Sequence, residues 1–363
     1  MSDYIDINNR AKLNIDSNSK PKKNNKVLTI RIVSLVISLL LLVGGCVSLY
    51  AYATINSIGY EHLGTQTPNP QQTGNVGGNA QSTATDKNNN SLLNSDYVLN
   101  IMLFGTDRYG DAGLSDTMIL LSIDNVNQKL KMTSFLRDTY VEIPGVCSHK
   151  LNYAYAEGGA ARSIQTIEAN YGIKIDRYAT VNFSTFKEIV DIMGGVELYV
   201  TQNEIDYINA QLVENGQTDH YLYATEGMVT LDGQQSLWYA RNRGGTYNGQ
   251  TFSGDDWDRT DRQRKFLEAV INNMKDASLT EIVQIVNSVG PSVTTDLKKT
   301  EIQSLVADSL TYLKYDVEQC AMPADGNWYY GYNDAGSVIL VSDWNQARAD
   351  LGTFIYEEDF VQN

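Results

Sequence analysis

From Ile32 to Ala53 the chain runs 22 residues without a charged side chain, rich in leucine, isoleucine and valine. In a hydrocarbon core every backbone polar group must be satisfied internally, so such a run has one solution, a helix. Its length suits one crossing of a bilayer about 30 Å thick. Lys20, Lys22, Lys23, Lys26 and Arg31 flank its N-terminal side, and positive charge marks the cytoplasmic side. The sequence therefore predicts a cytoplasmic tail (1–26), a single-pass transmembrane anchor (27–53) and an extracellular remainder at the cell membrane. Tyr50 and Tyr52 stand where an interfacial aromatic belt would lie. Val43-Gly44-Gly45-Cys46 resembles a lipoprotein cleavage box. Its middle glycine is atypical, and the apolar run continues past the cysteine, so an uncleaved anchor is expected rather than a cleaved leader.

Residues 54–95 are dominated by Gly, Asn, Gln, Thr and Ser, with Pro68 and Pro70. This composition predicts a flexible linker with a reach of roughly 35 Å. A folded body of residues 96–363 follows, long enough to bury a sizeable core. Charge is divided along the chain. Residues 1–31 hold seven Lys/Arg against three Asp/Glu, a net of +4, which leaves −19 on the rest of a chain whose total is −15. Such an acidic body offers no footprint for nucleic acid. Cys147 and Cys320 are the only cysteines beyond the apolar run; they are either paired, as an oxidising compartment permits, or buried free thiols.

Hydrophobic patterning gives the body an alternating order. Apolar runs predict strands at Tyr97–Phe104, Thr117–Ile123, Leu130–Leu136, Tyr178–Phe183, Glu197–Val200, Val317–Met322 and Ser337–Val341. Helical periodicity falls on 158–170, on a segment capped by Ser184 and stopped by Gly194-Gly195, and on 231–239, 260–274, 302–313 and 344–354. Alternation of this kind predicts an α/β fold, an α-β-α sandwich around a central mixed sheet.

Arginine and aspartate recur together in four places: Asp107-Arg108 with Asp116, Arg137-Asp138, Arg241-Asn242-Arg243, and Asp256 through Arg264. Guanidinium groups grip phosphate in bidentate fashion, and paired carboxylates hold a hard divalent cation. Asp107 and Asp116 flank neighbouring strands and so could share one metal ion, although turn aspartates have the same spacing. Arg137 closes a strand, where it reaches either a ligand over the sheet edge or a surface ion partner. Arg241 and Arg243 share a side if extended, and Arg259, Arg262, Gln263 and Phe266 share a helix face. No His-Glu-x-x-His, Gly-x-Ser-x-Gly or Gly-x-x-x-x-Gly-Lys pattern is present. His62, His149 and His220 are isolated from one another.

The succession Gly105-Thr106-Asp107, Ser115-Asp116-Thr117-Met118, Arg137-Asp138-Thr139-Tyr140 and Lys150-Leu151-Asn152-Tyr153 resembles the LytR-CpsA-Psr proteins. So do Met193-Gly194-Gly195-Val196, Leu231-Asp232-Gly233-Gln234-Gln235, Tyr239-Ala240-Arg241-Asn242-Arg243 and Asp256-x-x-Arg259-x-x-Arg262-Gln263. The resemblance covers about 100–267. It implies an α/β sandwich with an apolar pocket, and transfer of a glycopolymer (teichoic acid, capsule or another) from a polyprenyl pyrophosphate carrier to peptidoglycan. It further implies Mg²⁺ or Mn²⁺ on Asp107 and Asp116, and pyrophosphate on Arg137, Arg241, Arg243, Arg259 and Gln263 with Arg262 nearby. Asp116 or Asp138 would take the acceptor's proton. Two positions depart from the family pattern. Leu114 stands where the family has arginine, for which Arg108 is the expected substitute, and Leu136 stands where it has proline. A carrier hydrolase using the same site, or a wall-polymer binding module without turnover, are the competing readings.

Overall fold

The computed structural model describes residues 59–60, 91–106 and 113–357. The predicted tail, anchor and most of the linker lie outside these residues, as do Asp107 and Arg108. Among the described residues no helix is long and apolar enough to cross a membrane.

The strands in chain order are β1 (Gly59–Tyr60), β2 (Val98–Thr106), β3 (Ser115–Asp124), β4 (Lys129–Phe135), β5 (Tyr140–Glu142), β6 (Ser148–Lys150), β7 (Arg177–Asn182), β8 (Val196–Val200), β9 (Gly227–Leu231), β10 (Gly245–Tyr247), β11 (Gln250–Phe252), β12 (Thr294–Thr295), β13 (Asp316–Met322), β14 (Trp328–Asn333) and β15 (Gly336–Val341). The α-helices are α1 (Tyr153–Tyr171), α2 (Phe183–Ile192), α3 (Gln202–Glu214), α4 (Gly233–Arg241), α5 (Asp256–Met274), α6 (Leu279–Val289), α7 (Lys299–Tyr312) and α8 (Trp344–Tyr356).

Seven strands make one mixed sheet in the order β1-β12-β7-β2-β3-β4-β13. β2, β3 and β4 pair antiparallel, while β7 and β13 join parallel to β2 and β4. Alternation along β2 feeds both faces. Val98, Met102 and Phe104 pack with Met118, Leu120, Phe135 and residues of α1 and α8. Leu99, Ile101 and Leu103 pack on the other face with Ile271 of α5 and Leu305 of α7. Helices therefore cover both faces, as the strand and helix alternation predicts. A separate core joins α2, β8, α3, β9, α4 and α5 through Val190, Val196, Ile205, Leu231, Tyr239 and Phe266. This second core holds the ends of α4 and α5 over the sheet.

Several local expectations are corrected. α2 is capped by Asn182, whose side chain accepts from the Thr185 N–H, not by Ser184. α1 starts at Tyr153, ahead of the expected position, and its backbone leaves helical geometry at Gly158 and Gly159; Gly159 has φ +59°, a value that favours glycine. Cys147 and Cys320 are both free, the first exposed and the second half-buried, so they neither pair nor bury together. Leu136 is buried, and its N–H donates to the Met322 carbonyl at 3.0 Å. A proline could not make that bond, so the departure at this position extends the β4–β13 pairing by one link.

Candidate functional site: an arginine cleft above an apolar cavity

Three chain segments deliver charge to one place. Asp116 lies near the start of β3, Arg137 just beyond β4, and Asp256 and Arg259 in the first turns of α5. That first turn is fixed by Asp255, whose carboxylate accepts from the N–H groups of Trp257 and Asp258 in a capping box. Arg137 Nη1 donates to Asp116 Oδ1 at 2.5 Å, and its Nη2 is 3.2 Å from Asp256 Oδ1. Arg259 Nη2 lies 2.9 Å from the same Asp256 oxygen and donates to the Asp116 carbonyl at 3.2 Å. Asp256 thus bridges two guanidiniums.

Burial works against every member of this bridge. It pushes Asp256 above the usual carboxylate range, although Arg259 and Arg137 oppose the shift. It pulls Arg259 down, with Arg137 and Arg243 adding repulsion against the attraction of Asp256. Burial also works against Arg137, but Asp256, Asp116 and Asp138 together outweigh it and raise that side chain. The cluster consequently holds more desolvated cation near Arg259 than its carboxylates relieve.

Arg241 ends α4, Asn242 is extended, and Arg243 follows. Both arginines line one cleft of about 300 Å³ with Asp116, Arg259 and Gln263, so the two side chains expected to converge do so. Among the described residues neither has an ion-pair partner. The Arg241 guanidinium lies over Phe183 at 4.6 Å and Trp238 at 5.2 Å, contacts that orient a cation without neutralising it. Behind the cleft is an apolar cavity of about 220 Å³ lined by residues that include Leu103, Ile119, Phe186, Leu237, Phe266 and Val270. Thr117, Phe183, Arg241 and Gln263 line both spaces, so the cationic cleft adjoins the apolar one. A larger cavity of about 550 Å³ sets Lys265 against Glu197, Glu268 and Asp276. Its charge is wrong for an anion, and the functional site is placed at the arginines instead.

Three of the expected site residues line neither cavity. Arg137 stands beside the cleft, held by Asp116 and Asp256, and does not line it. Arg262 is 91 % buried, its Nε held by Glu204 at 2.9 Å while Nη1 donates to the Asn242 carbonyl at 2.7 Å. It fixes the Arg241–Arg243 loop and does not line the cleft. Asp138 is 2.8 Å from Lys150 Nζ and 3.7 Å from Arg137 Nε, so it steadies Arg137 from outside both cavities. Leu114 is exposed. Three contributors were missed by the sequence reading. Asp256 had a readable signal, the three-residue helical spacing to Arg259. Lys150, already part of a quoted motif, gave no hint of its partner Asp138. Tyr207, in the cleft wall, is on α3, a helix that hydrophobic patterning did not reveal; burial, then Tyr247, pushes its hydroxyl up to about 12.

A cationic cleft adjoining an apolar cavity, on an α/β sandwich, suits an amphiphile with an anionic head. The family model LytR_cpsA_psr matches residues 64–343, and the chain belongs to that family. It is 35 % identical over 259 residues, 68 % of this chain and 74 % of the relative, to the polyisoprenyl-teichoic acid–peptidoglycan teichoic acid transferase TagU of Oceanobacillus iheyensis. It is 31 % identical over 231 residues, covering 60 % of this chain and 56 % of the relative, to the corresponding transferase TagV of Bacillus subtilis. Among solved structures it is similar to TagT bound to LIIa-WTA, with TM-score 0.58, 22 % identity, and 72 % of this chain and 90 % of that one covered. It is also similar to YwtF (TagT) with bound octaprenyl pyrophosphate lipid, with TM-score 0.55, 22 % identity, and 76 % and 98 % covered. At those identities the structural likeness is one of fold.

Proposed function

We propose that this chain is a phosphotransferase that moves a glycopolymer from a polyprenyl pyrophosphate carrier to peptidoglycan, at the outer face of a membrane to which residues 27–53 anchor it. The observation that carries this reading is the shared lining of the two cavities, which gives a diphosphate and its prenyl chain adjoining places. The names of the relatives, teichoic acid transferases, support the reaction class.

In this mechanism Arg241, Arg243 and Arg259 hold the diphosphate, and Gln263 sits at the boundary between head and tail. A sugar hydroxyl of peptidoglycan attacks the phosphorus on the glycopolymer side. The bond from that phosphorus to the bridging oxygen breaks, and polyprenyl phosphate leaves with the electron pair. The arginines stabilise charge that grows on the leaving phosphate. Such a transition state asks little of a base, because the leaving bond is far broken before the proton moves. Of the two candidate bases, Asp116 lines the cleft, whereas Asp138, tied to Lys150, serves to hold Arg137.

Among the described residues no group of three or more His, Cys, Asp or Glu could hold a metal. Magnesium, however, commonly takes one or two carboxylates and completes its shell with phosphate oxygens and water. Asp116 Oδ2 has no partner among the described residues, so its chemistry fits Mg²⁺ or Mn²⁺ shared with Asp107. When bound, the ion would offset the charge of the diphosphate.

The test uses the purified full chain in detergent with lipid-linked glycopolymer, peptidoglycan and Mg²⁺, with mass spectrometry of the products. The expected product is a glycopolymer–peptidoglycan phosphodiester, lost on chelation. Release of the polymer to water alone would make the chain a hydrolase. Binding without any turnover, unaffected by chelation, would make it a binding module.

A further inference from the structure

β14 and β15 form a hairpin that stands apart from the main sheet in hydrogen bonding but not in position. Its turn is set by Asn333, whose Oδ1 accepts from the Ala335 N–H at 2.9 Å, and by Gly336 at φ +85°. β15 is tied to the segment after β4: the Ile339 N–H donates to the Asp138 carbonyl at 2.9 Å, and Ile339 bridges Thr139. Val338 and Ile339 are buried, which roots the hairpin beside the Arg137 cluster. Gly331 packs closely on its partner strand: a Cβ there would lie 2.5 Å from Leu340 Cδ1, so that side chain would have to move.

The outer strand is unusually aromatic. Trp328, Tyr330 and Tyr332 alternate along β14 and so share one side. Trp328 stacks on Trp257 at 4.8 Å and 30°, and meets Tyr330 edge-on at 5.1 Å. Trp257 directly follows Asp256, the bridging carboxylate. Tyr330 is 57 % and Tyr332 86 % exposed. A row of aromatic rings held in the open, on a rigid support and at the rim of a reactive cluster, signals a ligand.

We propose that this row is the docking subsite for the acceptor glycan, its rings stacking on the apolar faces of successive saccharides. The inference deepens the proposed function and rests on it. Position supports it first. The apolar cavity draws its sheet residues from β2, β3 and β7, whereas the hairpin attaches past β4. Asp116, Arg137 and Asp256 therefore lie between the two, which puts carrier and acceptor on opposite sides of the reacting phosphate. Charge supports it second. After burial, Asp255, Asp256 and Asp138 are what raise the Tyr330 hydroxyl, so the row is edged by carboxylates. Negative charge at this edge disfavours an anionic membrane surface, the main rival occupant.

The experiment compares the full chain in detergent with Tyr330→Ala/Tyr332→Ala and Tyr330→Phe/Tyr332→Phe double variants. Binding of N-acetylglucosamine tetramer and of soluble uncross-linked glycan strands is followed by calorimetry and tryptophan fluorescence. Farnesyl pyrophosphate binding is the control for the carrier side. The alanine pair should weaken glycan binding by on the order of tenfold or more and leave farnesyl pyrophosphate binding unchanged, while the phenylalanine pair retains most of the affinity. Glycan binding of equal strength in the alanine pair and the wild type overturns the proposal, as does absence of glycan binding by the wild type. So does binding to phosphatidylcholine or phosphatidylglycerol vesicles that the alanines abolish while glycan affinity stays constant. A chain that binds glycan through these rings yet transfers nothing would sink the proposed function and leave the subsite standing.

Discussion

Replacing Asp256 with asparagine keeps the side-chain shape and removes the charge that lies between two guanidiniums. Its Oδ1 is 2.9 Å from Arg259 and 3.2 Å from Arg137, and only 16 % of the side chain is exposed. At an effective dielectric of about 20, each attraction is roughly 5–6 kcal/mol before desolvation. Desolvation returns much of this, as the upward push on Asp256 and the downward pull on Arg259 show. Stripping one partner from such a buried arrangement costs about 3–5 kcal/mol. In a body of this size that lowers Tm by on the order of 10 °C. Inorganic pyrophosphate changes the outcome, because it brings negative charge back to Arg259 in the cleft. Asp256→Asn should therefore gain more Tm from saturating pyrophosphate than the wild type does, by several degrees. Thermal melts at fixed pH and ionic strength, with and without pyrophosphate, measure both quantities. An unchanged melting temperature, or the same pyrophosphate shift in both proteins, would show that Asp256 does not stand in for an anion at this cluster.

Arg241→Ala should leave stability within about 0.5 kcal/mol and lower transfer at least about a hundredfold, as should Arg137→Ala for transfer, with some loss of stability; retained transfer by both removes them from the mechanism. Ala240→Phe partly fills the apolar cavity, so carrier affinity should fall in a lipid-binding assay while inorganic pyrophosphate affinity holds. Glu168 is raised to about 7 by burial, against the pull of the Ile175 N–H. The folded chain holds that proton more tightly than the unfolded one, so stability declines as pH rises from about 4.5 through 7. Glu168→Gln should then stabilise by at most about 3 kcal/mol above pH 8 and by nothing near pH 4, in denaturant titrations at the two pH values. His220 is raised mainly by its bond to Asp232, the cap of α4; its contribution is complete below about pH 6.5 and fades as pH climbs through the folded value, so the melting difference from His220→Gln should shrink with rising pH.

What the sequence disclosed follows physical regularity. β2 and β3 are largely buried on both faces, so each carries a mostly apolar run bounded by turn residues, while β4 shows Leu130, Met132 and Phe135 among buried Lys131, Thr133 and Ser134. The Asp124–Asn127 turn was visible because Asp124 accepts from the N–H groups of Val126 and Asn127. α5 was legible from Phe266, Leu267, Val270, Ile271 and Met274 at helical spacing. By contrast α3 buries Asn209 and Gln211 beside Ile205, Ile208 and Leu212, and polar residues on an inward face erase the pattern that would reveal it. β14 escaped for the opposite reason: its alternate residues are aromatic but exposed, and no apolar stripe marked it as a strand.

The site divides along the same line. Arginines that face a ligand are conspicuous in sequence because nothing structural requires them: Arg241 and Arg243 have no ion-pair partner among the described residues, yet both sit in the cleft. Arg262 looked equivalent, being next to Gln263 in the same motif and one turn from Arg259, but a guanidinium can equally serve as a strut between Glu204 and the Asn242 carbonyl. Spacing alone does not distinguish a strut from a ligand-holder; the partner does, and Glu204 lies 58 positions away. The same logic separates Asp116 from Asp138. Each is an aspartate beside Arg137, but Lys150 occupies Asp138 whereas Asp116 keeps an oxygen toward the cleft. Charge balance within the fold, more than motif membership, decides which of these groups remain for chemistry.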